Sequence, residues 1–355
     1  MILTDLFIAG VKAILEYVSA HVLTCLVPAF FIAGAMSALL PKEEITRYLG
    51  QKVPKYKAYP LSVVAGLLLA VCSCTILPLF AGIKKKGAGI GPALAFLYTA
   101  PATNIMAILF TGSVLGWGFA LARIILSVTF AIVIGIIIST IFKKEDMEEE
   151  KKATPALVSA EVQDTKDLPF FQKYRLILFF ITLISILIVG TRVNGYMRYV
   201  GIAGLILILL ILIKLFFTKE ETKAWLSETW VFTKNIFPLL LGGIFVAGVL
   251  TALLPQNFLA TFMGKNTLIA NLIAVLFGVF MYFPTLVEVP MAKMFLGLGM
   301  AKGPLLAYLL ADPVISFASI LVLRKFIGTK RTLVYVGLII VFTTISGLIY
   351  GAIVG

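Results

Sequence analysis

Apolar runs of membrane-spanning length, separated by short loops rich in lysine and arginine, leave this 355-residue chain few folds to choose from. The hydrocarbon core of a bilayer takes about 20 predominantly apolar residues of α-helix, and it offers no water to satisfy backbone outside a helix or closed barrel. Clean runs at 22–40, 117–142, 199–217 and 333–354 approach or exceed that length. Hydrophobic residues are 61% of the chain, against roughly 45–50% in soluble domains, which excludes a soluble fold. The net charge of +13 is not a nucleic-acid footprint, because the basic residues sit in loops beside spans, where they act as topology signals. The N-terminus, MILTDLFIAG, has neither a basic n-region nor a small-residue cleavage site, so no removed signal peptide is expected. No Walker loop, dinucleotide fingerprint or HExxH occurs, so neither a cofactor nor an enzyme activity is expected.

The stretch 71–104, VCSCTILPLFAGIKKKGAGIGPALAFLYTAPATN, is interrupted in ways an ordinary span is not. Cys72, Ser73, Cys74 and Thr75 precede Pro78, and Lys84 to Lys86 precede Gly87 and Gly89. Gly91-Pro92 then opens a run that breaks at Pro101, with Asn104 just beyond. Irregular backbone at membrane depth survives only where protein or a water-filled cavity satisfies its polar groups. Breaks this dense mark a site.

The pattern occurs twice. FIAGAMSALLP at 31–41 matches FVAGVLTALLP at 245–255 at seven of eleven positions, and GPALAFLYTAP at 91–101 matches GPLLAYLLADP at 303–313 at six. Gly50, Gly66 and Pro78 pair likewise with Gly264, Gly278 and Pro290. Glycine and proline matching in register argue for internal duplication rather than a general likeness of leucine-rich helices. The expected structural breaks are therefore Pro78 and Pro101 in one copy and Pro284, Pro290 and Pro313 in the other.

Two topologies follow. If every apolar run crosses fully, ten transmembrane helices form parallel repeats. If 59–83 and its partner 268–298 are re-entrant, the basic residues of 42–57, 84–86, 143–175, 214–234 and 324–331 collect on one side. Only Lys12, Arg192, Arg198, Lys265, Lys293 and Lys302 then face the other. The excess of lysine and arginine in cytoplasmic loops favours the second arrangement. The expected fold is thus an all-α polytopic protein of the cell membrane, an inverted repeat with about eight full crossings and two broken hairpins meeting near the midplane. Its parts are a first repeat at 1–142, a flexible charged cytoplasmic linker at 143–173, two connecting helices at 174–218 and a second repeat at 219–355.

Residues two apart on a helix point away from each other, so one ligand engages both Cys72 and Cys74 only where the chain breaks. Thiolates select soft ions; the competing reading is that both pack as small hydrophobes. Cys25, before Pro28 in a plain span, reads as core. Through the repeat, Glu288 lies level with the cysteine break. A carboxylate at membrane depth is costly and marks function, and proton exchange is its expected task unless the hairpin sits shallow. Asp312 either pairs with Lys293 or Lys302 or caps the next helix. Asn104 and Ser316, at matched positions past the two proline breaks, either hold substrate or ion beside Thr75 or cap their helices. His21 and Glu16 fall on an interfacial lead-in helix, and Arg123, near one end of its span, is expected to snorkel.

In these residues the chain resembles the predicted permeases that include the ArsP-type organoarsenical efflux permeases. The likeness runs through CSCTILPLFAGIKKKGAGIGPALAFLYTAPATN at 72–104 and, more loosely, VEVPMAKMFLGLGMAKGPLLAYLLADPVIS at 287–316. It implies, for some members, export of trivalent methylated arsenicals, with the metalloid on Cys72 and Cys74. The second half reads YFPTLVEVP, with no cysteine beside the glutamate, which fits a branch with another substrate. The expected function is a proton- or ion-coupled permease, embedded in the lipid bilayer alone or as a homo-oligomer, that exports a small thiophilic solute. The alternative is a thiol–disulfide exchanger cycling Cys72 and Cys74 with a soluble thioredoxin-like partner; the strained ring such a close pair would form counts against it.

Overall fold

Apolar sequence becomes helix throughout. The computed structural model describes residues 2–19, 26–39, 42–50, 53–69, 73–146, 170–192, 196–253, 258–281 and 287–354, and among these all regular structure is helical. The first half forms α1 (Ile2–Tyr17), α2 (Val27–Leu39), α3 (Lys42–Leu49), α4 (Lys55–Leu69), α5 (Ser73–Lys85), α6 (Ile90–Ala102), α7 (Ile105–Val114) and α8 (Trp117–Ile141). There follow α9 (Phe170–Arg192), α10 (Tyr196–Phe216), α11 (Lys219–Leu253), α12 (Phe258–Met263), α13 (Leu268–Phe280), α14 (Glu288–Gly297), α15 (Lys302–Ala311), α16 (Phe317–Ile327) and α17 (Thr329–Val354).

Among the described residues, four helices are long and apolar enough to cross a membrane: α8, α10, α11 over Lys219–Val246, and α17. A fifth is counted if α6 and α7, bent by 45° at their break, make one span; α2, α13 and Tyr174–Gly190 of α9 are shorter apolar helices. Some sequence boundaries move. The run at 303–323 is broken after Ala311, because Pro313 lacks an N–H and its ring clashes with the preceding turn. Conversely, the amphipathic approach holding Trp225 and Trp230 fuses with the following span into one 35-residue helix, α11, despite Pro238. Helix is present up to Asp146 at one end of the charged stretch 143–173 and from Phe170 at the other; residues 147–169 lie outside the described residues.

Within each half the helices touch backbone to backbone. A methyl group on Gly91 (α6) would lie 2.6 Å from the Gly135 carbonyl of α8, and one on Gly303 (α15) 2.7 Å from the Gly347 carbonyl of α17. Lipid gives helices no hydrophobic reason to associate, so close approach over small residues supplies much of the attraction. The turns before these helices also correspond: Gly89 N–H donates to the Leu49 carbonyl (2.7 Å), and Ala301 N–H to the Met263 carbonyl (2.8 Å). Left-handed backbone is confined to Gly87 and Gly299 (both φ 93°) and Gly116 and Gly328 (103° and 83°), two pairs each 212 residues apart, among the described residues.

Between the halves, α2 packs on α11, α5 on α16, and α14 on α7. Helices α8 and α17 run side by side in opposite directions. Phe119 lies against Tyr350 (ring centroids 5.1 Å), Phe130 against Phe342 (5.3 Å), and Phe142 beneath the Arg331 guanidinium (5.8 Å). At one end Asp146, past α8, accepts the Ile90 N–H that begins α6 (3.2 Å) and pairs with Lys84 and Arg331 (3.4 Å each). At the other end Lys302, which begins α15, donates to the Val354 carbonyl at the close of α17 (3.1 Å).

Candidate functional site

The deepest charges in the molecule meet where the two halves do. Arg123, on α8, has no solvent exposure, and its Nη1 forms an ion pair with Oε1 of Glu288, which is equally buried and begins α14. Arg123 therefore does not snorkel. It turns inward because the residues at four-residue intervals after it, Ser127, Ala131 and Gly135, form the small-residue face by which α8 packs inside the protein. That stripe, readable in the sequence, was the signal that Arg123 faces inward.

The guanidinium also repairs a broken helix. Its Nε donates to the carbonyl of Ala102, the last residue of α6 (3.1 Å), and its Nη1 to the Thr111 hydroxyl of α7 (3.4 Å). A cation at a helix C-terminus and an anion at a helix N-terminus both meet favourable dipole ends. Arg123 thus joins the C-terminus of α6 to the N-terminus of α14. Its Nη2 and the second carboxylate oxygen of Glu288 have no hydrogen-bond partner.

Asp312 lies in the same cluster. It caps the C-terminus of α15 with 4% exposure, and neither carboxylate oxygen accepts a hydrogen bond of good geometry. It interacts electrostatically with Glu288, Arg123 and Tyr308. The expected pairing with Lys293 or Lys302 does not form: Lys302 is committed to Val354, and both lysines are exposed at the protein surface. Tyr98 (α6) lies by Arg123 and Tyr308 (α15) by the two carboxylates, with Tyr335 (α17) beside Tyr98, all fully or almost fully buried.

The other sequence candidates are placed as follows. Thr75 is buried in the first turn of α5. Cys74 lies in that turn too; its side chain, together with Cys72, Cys25, His21 and Pro284, falls outside the described residues. Glu16 is exposed beside Lys12 (4.0 Å). Asn104 is buried at the break between α6 and α7, where its carbonyl accepts the Ile108 N–H. Ser316 is the N-cap of α16: its hydroxyl accepts from Ser319 N–H (3.2 Å), with the reciprocal bond from Ser316 N–H to the Ser319 hydroxyl (2.8 Å). Pro101 is the penultimate residue of α6 and Pro313 follows α15, whereas Pro78 sits inside α5 and Pro290 in the first turn of α14. Pro78 does not interrupt its helix, because α5 starts at Ser73 and only the Cys74 carbonyl loses its helical donor there. Among the described residues no three His, Cys, Asp or Glu side chains converge as metal ligands.

Comparison with known proteins adds independent information. A family model named ArsP_1, described as a predicted permease, matches residues 7–352. The UPF0718 protein MJ0584 of Methanocaldococcus jannaschii is 38% identical over 350 residues, 97% of this chain and 95% of its own. The UPF0718 protein YraQ of Escherichia coli is 24% identical over 323 residues, 90% of this chain and 75% of its own. No solved structure matches.

Proposed function

The chain belongs to this predicted permease family, and we propose that it is a proton- or ion-coupled exporter of a small thiophilic solute, of the trivalent organoarsenical type, built from two inverted copies of one unit. The observation that carries the reading is the buried ion pair of Arg123 and Glu288, which joins the two halves at their helix breaks. Buried intramembrane charges of this kind belong to ion and substrate pathways. Broken helices meeting inside the bundle are where secondary transporters bind.

Inversion is supported by the antiparallel course of α8 and α17, which occupy equivalent places 212 residues apart and share the Gly135 and Gly347 contacts. It is supported again at the ends. The start of α6 lies by the start of α17, whereas the start of α15, equivalent to α6, lies by its close. The two units are 1–142 and 219–355, bridged by a cytoplasmic linker and the helices of 174–218. In this reading Cys72 and Cys74, with Thr75 and Asn104, take the solute, and Glu288 and Asp312 carry coupling. Ser316 shapes the site as a cap.

The test is uptake of monomethylated trivalent arsenic by inside-out proteoliposomes, with and without a pH gradient. Accumulation that follows the gradient and is lost in Cys72→Ser and in Cys74→Ser is the expected result. Full transport in both variants would remove the thiols from the site, and no transport by the parent protein would remove the solute.

A further inference from the structure

Arg123, Glu288 and Asp312 place two carboxylates and one guanidinium in space closed to water. As fully ionised groups they leave one negative charge over, and an unbalanced buried charge costs several kcal/mol. The two carboxylates are not equivalent. Glu288 holds the guanidinium and stands at the positive end of the α14 dipole. Asp312 stands at the negative end of the α15 dipole, near a second carboxylate, and the donor beside it is the neutral Tyr308 hydroxyl rather than a cation.

The remaining groups offer no counter-charge. Of the helices packed on α15, α13 meets Asp312 through Gly278, α14 brings Glu288 and α8 Arg123; Tyr98 faces the guanidinium from α6 with Tyr335 of α17 beside it, and Tyr308 faces the carboxylates from α15 itself. One bound proton balances the cluster, and Asp312 is the group left for it.

Resting on the permease reading above, we propose that Asp312 is the proton-binding group of this protein and that Arg123 is the sensor converting its occupancy into movement of α14. With Asp312 neutral, Arg123 serves Glu288 alone and pins the N-terminus of α14 to α8. When water reaches Asp312, its O–H bond breaks and the proton passes to that water, and a second carboxylate then competes for one guanidinium. The unpartnered Nη2 of Arg123 is the donor available to it. As the guanidinium turns toward Asp312, its hold on Glu288 weakens and α14 parts from α8. No other atom is exchanged. Coupling of this kind needs two states that bind the proton differently, and the latched and shared positions of Arg123 are those two states.

The experiment needs no transported solute. Spin labels at Ile125→Cys on α8 and Met294→Cys on α14, both outward-facing (62% and 45% exposed), report the separation of the two helices. They are placed in a background with Cys25, Cys72 and Cys74 replaced by serine, and read in proteoliposomes by dipolar electron resonance. A short-distance population at acid pH should give way to a longer one, its odds changing roughly tenfold per pH unit, as for one proton. Asp312→Asn should hold the short distance at every pH, and Glu288→Gln the long one. Arg123→Lys, which keeps the charge but loses the fork, should retain a pH response with more of the long population. A distance independent of pH in the labelled parent, or an Asp312→Asn variant that still titrates, overturns the proposal. If Glu288→Gln does not fold, those two measurements decide the matter alone. Because no solute is present, failure of the arsenical assignment leaves this outcome untouched.

Discussion

Removing one end of the Arg123–Glu288 pair should cost more stability than removing both. In Glu288→Leu the guanidinium keeps its bonds to Ala102 and Thr111 but has lost its adjacent counter-ion in a site without solvent exposure. Breaking a buried pair from one side costs about 3–5 kcal/mol. Arg123→Leu leaves Glu288 with no partner and also frees the Ala102 carbonyl, so it should be the worse of the two. Charged hydrogen bonds of that kind are worth about 1.5–3 kcal/mol. The double variant retains mainly that second loss, because two leucines replace both charges with apolar volume. The cycle should therefore close with a coupling of several kcal/mol, at or above the ~0.5–3 kcal/mol usual for residues in contact. The assay is reversible unfolding of the four proteins in mixed micelles, followed by far-ultraviolet circular dichroism. Lowering the pH should shrink the Arg123→Leu penalty, since a proton neutralises the stranded carboxylate. Single-variant losses that simply add, within about 0.5 kcal/mol, would refute the pair as a mutual dependence.

Three further outcomes follow from the packing. Gly91→Ala and Gly303→Ala should each lower stability by about 1–3 kcal/mol through overpacking against the opposing carbonyl. Gly242→Ala, with nothing within 4 Å of the added methyl, should be neutral or stabilising by up to ~1 kcal/mol; thermal unfolding in detergent distinguishes them. Asp146→Ala removes the acceptor of the Ile90 N–H and the shared partner of Lys84 and Arg331, so it should cost about 3–5 kcal/mol in the same assay; an unchanged midpoint would mean this network is not structural. Cysteines at the exposed positions Lys143 and Lys302 should react with an impermeant maleimide from opposite faces of the membrane, whereas labelling from one face would refute inversion.

What local sequence conveys, it conveyed well here. Pro101 and Pro313 act on the backbone through their own rings, and helices end beside both. Glu288 stands out because an isolated carboxylate in apolar sequence has few cheap explanations. What escaped depends on direction and distance. Arg123 reads as a snorkelling end-residue until one asks which face of α8 carries Ser127, Ala131 and Gly135. Asp146 is the second residue of a run, EDMEEE, that looks solvated, yet it is 4% exposed because its partners lie 56 positions upstream at Ile90 and in the other half at Arg331. The triple lysine is likewise more than a topology signal: Lys84 pairs with Asp146, and Lys85 with Glu228. Pro78 was misplaced as a break because proline disrupts the turn before it, and α5 has scarcely begun there.

Backbone features recur along the chain where the charged groups do not. At the offset of 212, the tight glycine contacts, the donors of the turn bonds and the left-handed glycines all recur. The charges do not: Glu288 corresponds to Ile76, Asp312 to Ala100, Tyr308 to Phe96 and Arg123 to Tyr335. A symmetric pair of ion clusters would double a desolvation penalty that is already several kcal/mol per buried ion. Dividing one cluster between the copies has a different consequence. The guanidinium belongs to the first half and both carboxylates to the second, so neither half balances this cluster by itself. Balance is reached only with the two apposed and, by the count of charges, with one proton aboard. In the inverted reading proposed above, the choice between two arrangements of the units would then be biased by a single titrating group rather than by a rebuilt interface.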